Sequence, residues 1–211
     1  MAVISLSRQV GSGGHEIGEL VSKRLDYQLL DRRLMSKLGS DAGIIQPGQL
    51  VDLSAERHHV AGTFERGASM STYNVLDIRA YEASGLGAED RSAEMVNKIL
   101  LLAYEKGNIV VEGRGGQGLL RNKPGVLQVR VIAPVQQRVE YLMKRDGISA
   151  DLARKKVKEA DAAQADYIKR YFGADIYDAT LYDLIFNTAK LPLEAVANAI
   201  CDAVRLITPA K

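Results

Sequence analysis

The first twenty-five residues constrain the fold of this chain more than any other stretch, because a glycine cluster joins a short apolar run to a helical pattern. The run from Ala2 to Leu6 is apolar and β-branched at two positions, which is typical of a buried parallel strand. From Glu16 to Leu25, apolar residues recur at helical spacing. Between these segments lie Gly11, Gly13 and Gly14, where a backbone without side chains can turn tightly. The sequence therefore predicts a strand, a glycine-rich turn and a helix.

A turn of this kind directs several backbone N–H groups and the positive end of a helix at one point, which suits a phosphate. The usual phosphate loop reads Gly, four residues, then Gly-Lys-Ser/Thr. Aligning Gly13 with its second glycine places Arg8, Gly14 and His15 at the first glycine, the lysine and the Mg²⁺-binding hydroxyl. Three of the four diagnostic positions are therefore changed, and a glycine-rich turn that binds nothing remains an open alternative on this pattern alone.

Apolar strands alternate with helical patterns along the rest of the chain. The further predicted strands are Tyr27–Leu30, Asn108–Glu112, Val126–Ile132 and Leu184–Phe186. The further predicted helices cover Leu34–Leu38, Ala88–Lys106, a segment after Pro134, a charged segment from an N-cap at Ser149 towards Tyr171, and an amphipathic segment from Leu193 to Val204. Short apolar strands alternating with helices predict an α/β fold with a parallel sheet covered on both faces.

The pattern weakens between Gly39 and Gly87. This stretch contains seven glycines, Pro47 and the adjacent pair His58 and His59. Such punctuation interrupts regular elements, and it predicts a partly helical, mobile insertion rather than part of the sheet.

Composition excludes several classes of function. A formal net charge of +2 gives no electrostatic footprint for nucleic acid or for a membrane surface. The single cysteine, Cys201, cannot form an intramolecular disulfide and fits a reducing compartment. No apolar run approaches the roughly 18 residues of a membrane span, and the N-terminus lacks the pattern of a signal peptide. We therefore expect a cytoplasmic protein that folds as one domain over residues 1–211.

Glycine-rich or charged stretches follow four of the predicted strands. They are Ser7–Gly14, Asp31, Glu112–Arg114 and Asn187. Because ligands bind beyond the carboxyl ends of the strands in open parallel sheets, we expect these stretches to form one site.

Three stretches resemble the cytidylate kinase-like family of nucleoside monophosphate kinases. They are Ile4–Gly14, Val110–Gly115 and Leu184–Leu191, and they span nearly the whole chain in the order of the family. The Ser-Arg…Gly-Ser-Gly-Gly form of the first stretch is typical of this divergent branch.

The resemblance implies a P-loop NTPase fold, with a five-stranded parallel sheet flanked by helices and with two inserted regions. The division that it implies is a core of residues 1–38, 88–148 and 172–211, a monophosphate-binding insertion at 39–87 and a lid at 149–171.

The resemblance also implies which residues bind the two nucleotides. It assigns the phosphates of ATP to Gly11, Ser12, Gly13, Gly14 and His15. It assigns the acceptor to Asp31, Arg32, Lys37 and Arg114. Gly115 stands where the better-known members have an aspartate, which leaves one contact to the acceptor base open.

Arginines are the predicted catalytic residues. Phosphoryl transfer depends on alignment and on neutralising the phosphate oxygens, for which a planar guanidinium is well suited. Arg8 lies at the mouth of a loop that lacks its lysine, and we predict that Arg8 replaces that charge. The resemblance adds Arg138, on the helix after the fourth strand, and Arg170, as the arginine of the lid.

Magnesium is the expected cofactor, bound together with ATP. Mg²⁺ prefers oxygen ligands, so His15 is a poor candidate to hold it. We expect Glu112 or Asp31 to hold the metal, through a water molecule.

The resemblance implies a kinase that transfers the γ-phosphate of ATP to CMP, dCMP or a similar acceptor. Two alternatives stay open: a non-catalytic nucleotide-binding sensor with a degenerate loop, and a kinase of another small metabolite, because a fold does not fix a substrate. The expected partners are nucleotides, with no nucleic acid and no membrane, and the expected state is a monomer or a weak homodimer.

Overall fold

The computed structural model describes residues 1–46 and 88–207, and five parallel strands form one sheet in this part of the chain. The strands are β1 (Val3–Arg8), β2 (Gln28–Leu29), β3 (Ile109–Glu112), β4 (Val126–Ile132) and β5 (Leu184–Asn187). Their order across the sheet is β2-β3-β1-β4-β5, and every neighbouring pair is parallel. The predicted α/β class and the parallel five-stranded sheet are confirmed.

The glycine-rich segment follows the central strand of the sheet. In β1, Ile4 lies opposite Val110 of β3 and Leu127 of β4. Because β1 is the middle strand and is paired on both sides, the chain that leaves it after Arg8 starts from the centre of the sheet.

Helices cover both faces of this sheet. They are α1 (Gly14–Leu25), α2 (Arg32–Asp41), α3 (Ala88–Lys106), α4 (Gly116–Leu119), α5 (Val135–Asp146), α6 (Ala150–Phe172) and α7 (Leu193–Ile207), with a 3₁₀ turn at Ala179–Leu181. Of the described helices, none is both long and apolar enough to cross a bilayer.

Alternate side chains of the strands enter two cores. Ile4 and Val131 pack with α1 and α7 on one face, where Cys201 is a buried free thiol. Ile109 and Val111 pack with α2 and α3 on the other. This period of two is the pattern expected for strands that are buried on both faces.

The ends of the helices follow local capping chemistry. The Ser149 hydroxyl accepts a hydrogen bond from the Leu152 N–H at 3.3 Å, which confirms the predicted N-cap of α6. Gly107 ends α3 as predicted: its φ is +66°, and its N–H donates to the Ala103 carbonyl at 3.1 Å. Its left-handed backbone is the conformation that glycine adopts most readily at such an end.

Several elements differ from the sequence prediction: β2 covers only Gln28–Leu29, and α7 continues to Ile207. Helix α2 begins one residue after the N-cap Asp31 and continues to Asp41, three residues beyond the predicted end. Helix α4 was not predicted, because a Gly-Gly-Gln-Gly stretch has a low helix propensity. Of the predicted insertion at 39–87, residues 39–46 include the end of α2, while the remainder lies outside the described residues.

Candidate active site

A large cleft lies at the carboxyl end of the central strands. Its volume is about 620 Å³, and its walls come from the glycine loop (Gly11–His15), from the start of α2, from the end of β3, and from α5 and α6. The predicted residues that line it are Arg8, Gly11, Gly13, Gly14, His15, Asp31, Arg32, Glu112 and Arg114. Three of the four predicted strand-end stretches therefore meet at one cleft.

The conformation of the glycine loop requires glycine. Gly11 and Gly13 both have a φ of +78°. A Cβ at Gly11 would lie 2.7 Å from the carbonyl oxygen of Arg138, and one at Gly14 would lie 2.4 Å from the Cβ of Arg8. These distances are too short for any side chain, so the loop packs closely against the surrounding chain.

Hydrogen bonds on the interior side of the glycine loop hold it in place. The Ser12 hydroxyl donates to the Gln9 carbonyl at 2.7 Å, and the Thr188 hydroxyl donates to the Ser12 carbonyl at 2.9 Å. Ser12 is therefore held by its hydroxyl inside the protein.

The start of α1 presents donors without partners in the helix. The Ile17 N–H donates to the Gly13 carbonyl at 3.1 Å, and the N–H groups before it have no acceptor within the helix. Because Gly13, Gly14 and His15 line the cleft, this positive helix end faces it.

Glu112 joins the two ends of the loop. The Arg8 Nε donates to Glu112 Oε1 at 2.7 Å, and the His15 Nδ1 donates to Glu112 Oε2 at 2.8 Å. We call these three residues the Glu112 cluster. His15 also lies near Glu19, with its Nε2 3.6 Å from Oε1.

The contacts in the Glu112 cluster shift the pKa values of two side chains, His15 and Glu112. The hydrogen bond to Glu112 raises the pKa of His15 above its ordinary value, against the opposing effect of burial. Burial alone would raise the pKa of Glu112, but the charges of Arg8 and His15 outweigh it and lower that pKa. Glu112 is therefore a carboxylate at neutral pH, and the cluster favours a charged His15.

Arg138 lies behind the loop, and it is absent from the described residues that line the cleft. Its guanidinium is almost fully buried and donates to both carboxylate oxygens of Asp161 on α6, at 2.9 and 2.7 Å. This bidentate pair fastens α5 to α6, and the Arg138 backbone packs directly on Gly11.

Three other predicted residues also lie outside the described wall of the cleft: Ser12, Lys37 and Arg170. The Arg170 Nη2 donates to Asp90 Oδ1 on α3 at 2.8 Å, near the carboxyl end of α6. Lys37 lies exposed on α2.

Comparison with known proteins assigns the chain to a family. A profile of the cytidylate kinase-like family matches residues 3–190. The chain belongs to this family. A curated cytidylate kinase from Methanocaldococcus jannaschii is 36% identical over 151 residues, which cover 70% of this chain and 83% of that protein. A second, from Pyrococcus horikoshii, is 32% identical over 114 residues, which cover 54% of this chain and 58% of that protein. The family prediction is confirmed, and the chain is an ATP-dependent phosphotransferase.

Solved structures confirm the fold of this family member. An uncharacterised protein from Eubacterium ventriosum superposes with a TM-score of 0.65 at 16% identity, covering 97% of this chain and 99% of that one. A shikimate kinase from Acinetobacter baumannii in complex with shikimate gives 0.51 at 13% identity, covering 100% and 96%. The predicted P-loop kinase fold is thus confirmed.

The residues at the cleft fit Mg²⁺ as far as charge is concerned. Mg²⁺ in kinases retains several waters and uses one or two carboxylates besides the phosphates. Glu112 is ionised and lines the cleft. Asp31 lines the cleft as well, and its Oδ1 caps α2 by accepting a hydrogen bond from the Leu34 N–H at 2.7 Å. Within residues 1–46 and 88–207, no cluster of three His, Cys, Asp or Glu side chains could hold a metal by itself.

The structure adds cleft residues that sequence reasoning did not select. Tyr141, Arg145 and Gln164 line the cleft from α5 and α6. Burial, with a hydrogen bond to Glu16, raises the pKa of Tyr141. The four-residue spacing of Tyr141 and Arg145 places them on one face of a helix, which was the available signal.

Asn187 was expected at the site because it ends a strand. It is absent from the described residues of the cleft, and its Oδ1 instead accepts a hydrogen bond from the Ala189 N–H at 3.0 Å. The next residue, Thr188, supports the loop in its place.

Proposed function

We propose that this chain transfers the γ-phosphate of ATP to CMP, dCMP or a related nucleoside monophosphate. The observation that carries the proposal is that two sets of groups with the chemistry to bind phosphate line one cleft. The glycine loop and the start of α1 form one set, and Arg32 and Arg114 belong to the other. A kinase must bring two phosphates together, and a single cleft with cationic groups on two walls suits that task.

The donor phosphates would bind at the glycine loop. The first-turn N–H groups of α1 supply hydrogen bonds, and the helix dipole favours negative charge at the same point. The close packing of Gly11 and Gly14 keeps these groups in place before the nucleotide binds, so little reorganisation is needed.

Arg8 would supply the charge that the missing lysine provides elsewhere. Its side chain is one-third exposed and lies at the edge of the cleft, where Glu112 holds the guanidinium. A phosphate at the loop would compete with Glu112 for Arg8. The carboxylate released in this way could then hold Mg²⁺ through water, as proposed for Glu112.

The remaining arginines divide between support and contact. We assign Arg138 to holding the loop against α6, because its guanidinium is paired with Asp161 inside the protein. A catalytic role for Arg170 as the arginine of the lid remains a prediction, and it would require separation from Asp90. Arg145 lines the cleft already, and its guanidinium is paired with Asp146 at 2.6 and 3.1 Å.

Arg8→Ala tests the proposal. ADP release would be followed with ATP, Mg²⁺ and a panel of nucleoside monophosphates. We expect turnover with CMP or dCMP, and a loss of about 10³-fold or more in kcat for Arg8→Ala, the magnitude typical of one cation on the transferred group. Arg24→Ala is the matched control, because Arg24 pairs with Glu194 and is absent from the described wall of the cleft. Unchanged turnover in Arg8→Ala would refute the assignment of Arg8.

One observation favours a non-catalytic sensor as a second candidate. Glu112 neutralises Arg8, so the loop presents less positive charge than a loop with a free lysine. Binding of ATP by calorimetry, with no ADP release for any monophosphate, would favour the sensor over the kinase.

A further inference from the structure

A second, smaller cavity opens beside the cleft. Its volume is about 90 Å³, and it shares Arg8, Arg114 and Gln164 with the cleft. A group bound in the small cavity can therefore belong to the same molecule as a phosphate bound in the cleft.

Gln117 is one of the polar residues in this cavity that the proposed function does not use, together with Ser7 and Gln164. Gln117 lines the cavity, only 4% of the residue is exposed, and its buried Oε1 accepts no hydrogen bond from any described residue. Buried carboxamides are almost always hydrogen-bonded, so an unpaired one beside a cavity calls for a partner that comes from outside the protein.

The backbone that carries Gln117 is fixed on both sides. A Cβ at Gly116 would lie 2.8 Å from the Ser5 hydroxyl, and one at Gly118 would lie 2.4 Å from the ring of Phe172. Helix α4 is therefore wedged between β1 and the end of α6. A side chain on such a rigid support is well placed to recognise a ligand.

The cavity matches one flat polar ring. Its volume corresponds to roughly six water positions, at about 15 Å³ each, which fits a single ring better than two fused rings. Tyr167 and Ile168, both buried, provide an apolar wall for a ring, and the Gln117 carboxamide provides a donor and an acceptor side by side.

We propose that Gln117 contacts the base edge of a pyrimidine nucleotide acceptor, and that it accepts both the amino and the keto form of that edge. This inference rests on the proposed kinase function. Cytosine offers an amino donor where uracil offers a carbonyl acceptor, and a half-turn of a carboxamide exchanges its own donor and acceptor. Because no described residue holds Oε1, this rotation breaks no hydrogen bond to that oxygen within the described chain.

The test compares CMP with UMP. We expect the two values of kcat/KM for the wild-type protein to lie within about tenfold of each other. Gln117→Glu offers only acceptors when it is ionised, so it should move the CMP:UMP ratio at least about tenfold towards CMP. Gln136→Glu is the matched control, because it adds the same charge on the exposed side of α5 and should leave the ratio unchanged.

Gln117→Leu keeps the test valid if a buried carboxylate prevents folding. It removes both polar atoms, so kcat/KM should fall for both nucleotides at an unchanged KM for ATP. Three results would overturn the inference: a CMP:UMP ratio unmoved by Gln117→Glu in a folded protein, unchanged kinetics in Gln117→Leu, or a wild-type preference for one base above about 100-fold.

Calorimetry separates this inference from the proposed function. If no monophosphate is phosphorylated, the kinase proposal fails, and the Kd values of CMP and UMP for wild type and Gln117→Glu test Gln117 independently. If neither nucleotide binds the wild-type protein, the inference about Gln117 is refuted as well.

Discussion

At the scale of single residues, Glu112 sets the electrostatic state of the loop. It lies at the end of β3 and binds Arg8 and His15, which stand on opposite sides of the glycine loop. One carboxylate thus fixes the position of two cations that would otherwise repel each other.

The stability that the His15–Glu112 contact provides should depend on pH in both directions. The pKa of His15 is raised above 6.5, so its contribution is complete below pH 6.5 and is lost as the pH rises through the raised value. The pKa of Glu112 is lowered from 4.5, so its contribution is present above pH 4.5 and is lost as the pH falls through the lowered value.

Denaturant unfolding of wild type and His15→Gln across pH 4 to 9 would measure this effect. We expect the difference in the free energy of unfolding to be largest between about pH 4.5 and 6.5 and to shrink at higher pH. A difference that is constant over this range would show that the ion pair does not contribute.

The sequence predicted half of the residues that line the cleft but not their pairing. Arg8, His15 and Glu112 were each selected from position in the chain, yet Arg8 and Glu112 are 104 residues apart. Their contact follows from the pairing of β1 with β3, in which Leu6 lies opposite Glu112. The prediction for Arg138 came from a motif, and nothing in the sequence around Arg138 indicates that its guanidinium binds Asp161.

At the scale of elements, helix α6 is attached to its neighbours at several points besides the contact of Arg170 with Asp90. Ala153 and Val157 pack on α5, Asp161 binds Arg138, and Phe172 packs on the glycines of α4. The sequence predicted the bounds of this helix to within one residue, because a cap and a continuous helical pattern mark them. The short α4 escaped prediction because tertiary packing, not propensity, determines it.

Asp161→Ala should destabilise the protein by about 3–5 kcal/mol, since it leaves the buried guanidinium of Arg138 without its partner. Replacing both residues, as Arg138→Met with Asp161→Leu, should recover most of that loss, because an apolar pair of similar volume needs no compensation. Denaturant unfolding measures both.

Asp151→Ala is the control for this pair. Asp151 also binds an arginine, Arg154, but it is 97% exposed, so its loss should change the free energy of unfolding by less than about 1 kcal/mol. If Asp161→Ala and Asp151→Ala lower the free energy of unfolding equally, the buried ion pair stabilises the protein no more than the exposed one.

At the scale of the whole molecule, the sheet gathers distant parts of the chain at one edge. The sequence predicted this sheet because apolar runs and helical periods alternate clearly. It could not define the walls that α5 and α6 contribute, because cleft residues such as Gln164 carry no motif.

Nucleotide binding should stabilise the whole chain. At a concentration of about 100 times Kd, Mg²⁺ and ATP should add roughly 2.7 kcal/mol, which raises Tm by about 5–10 °C in a protein of this size. Adenosine is the control, because it lacks the phosphates that the glycine loop would bind. Differential scanning fluorimetry measures both, and an equal shift with adenosine would place the main contact at the base instead.

The packing of Phe172 on α4 also restricts how this chain can evolve. Cβ atoms at Gly115 and Gly118 would each come within 2.4 Å of the Phe172 ring. A descendant that gains a side chain at position 115 or 118 must therefore first lose bulk at position 172. Substitutions at these three positions therefore depend on one another, and their order decides whether each intermediate protein still folds.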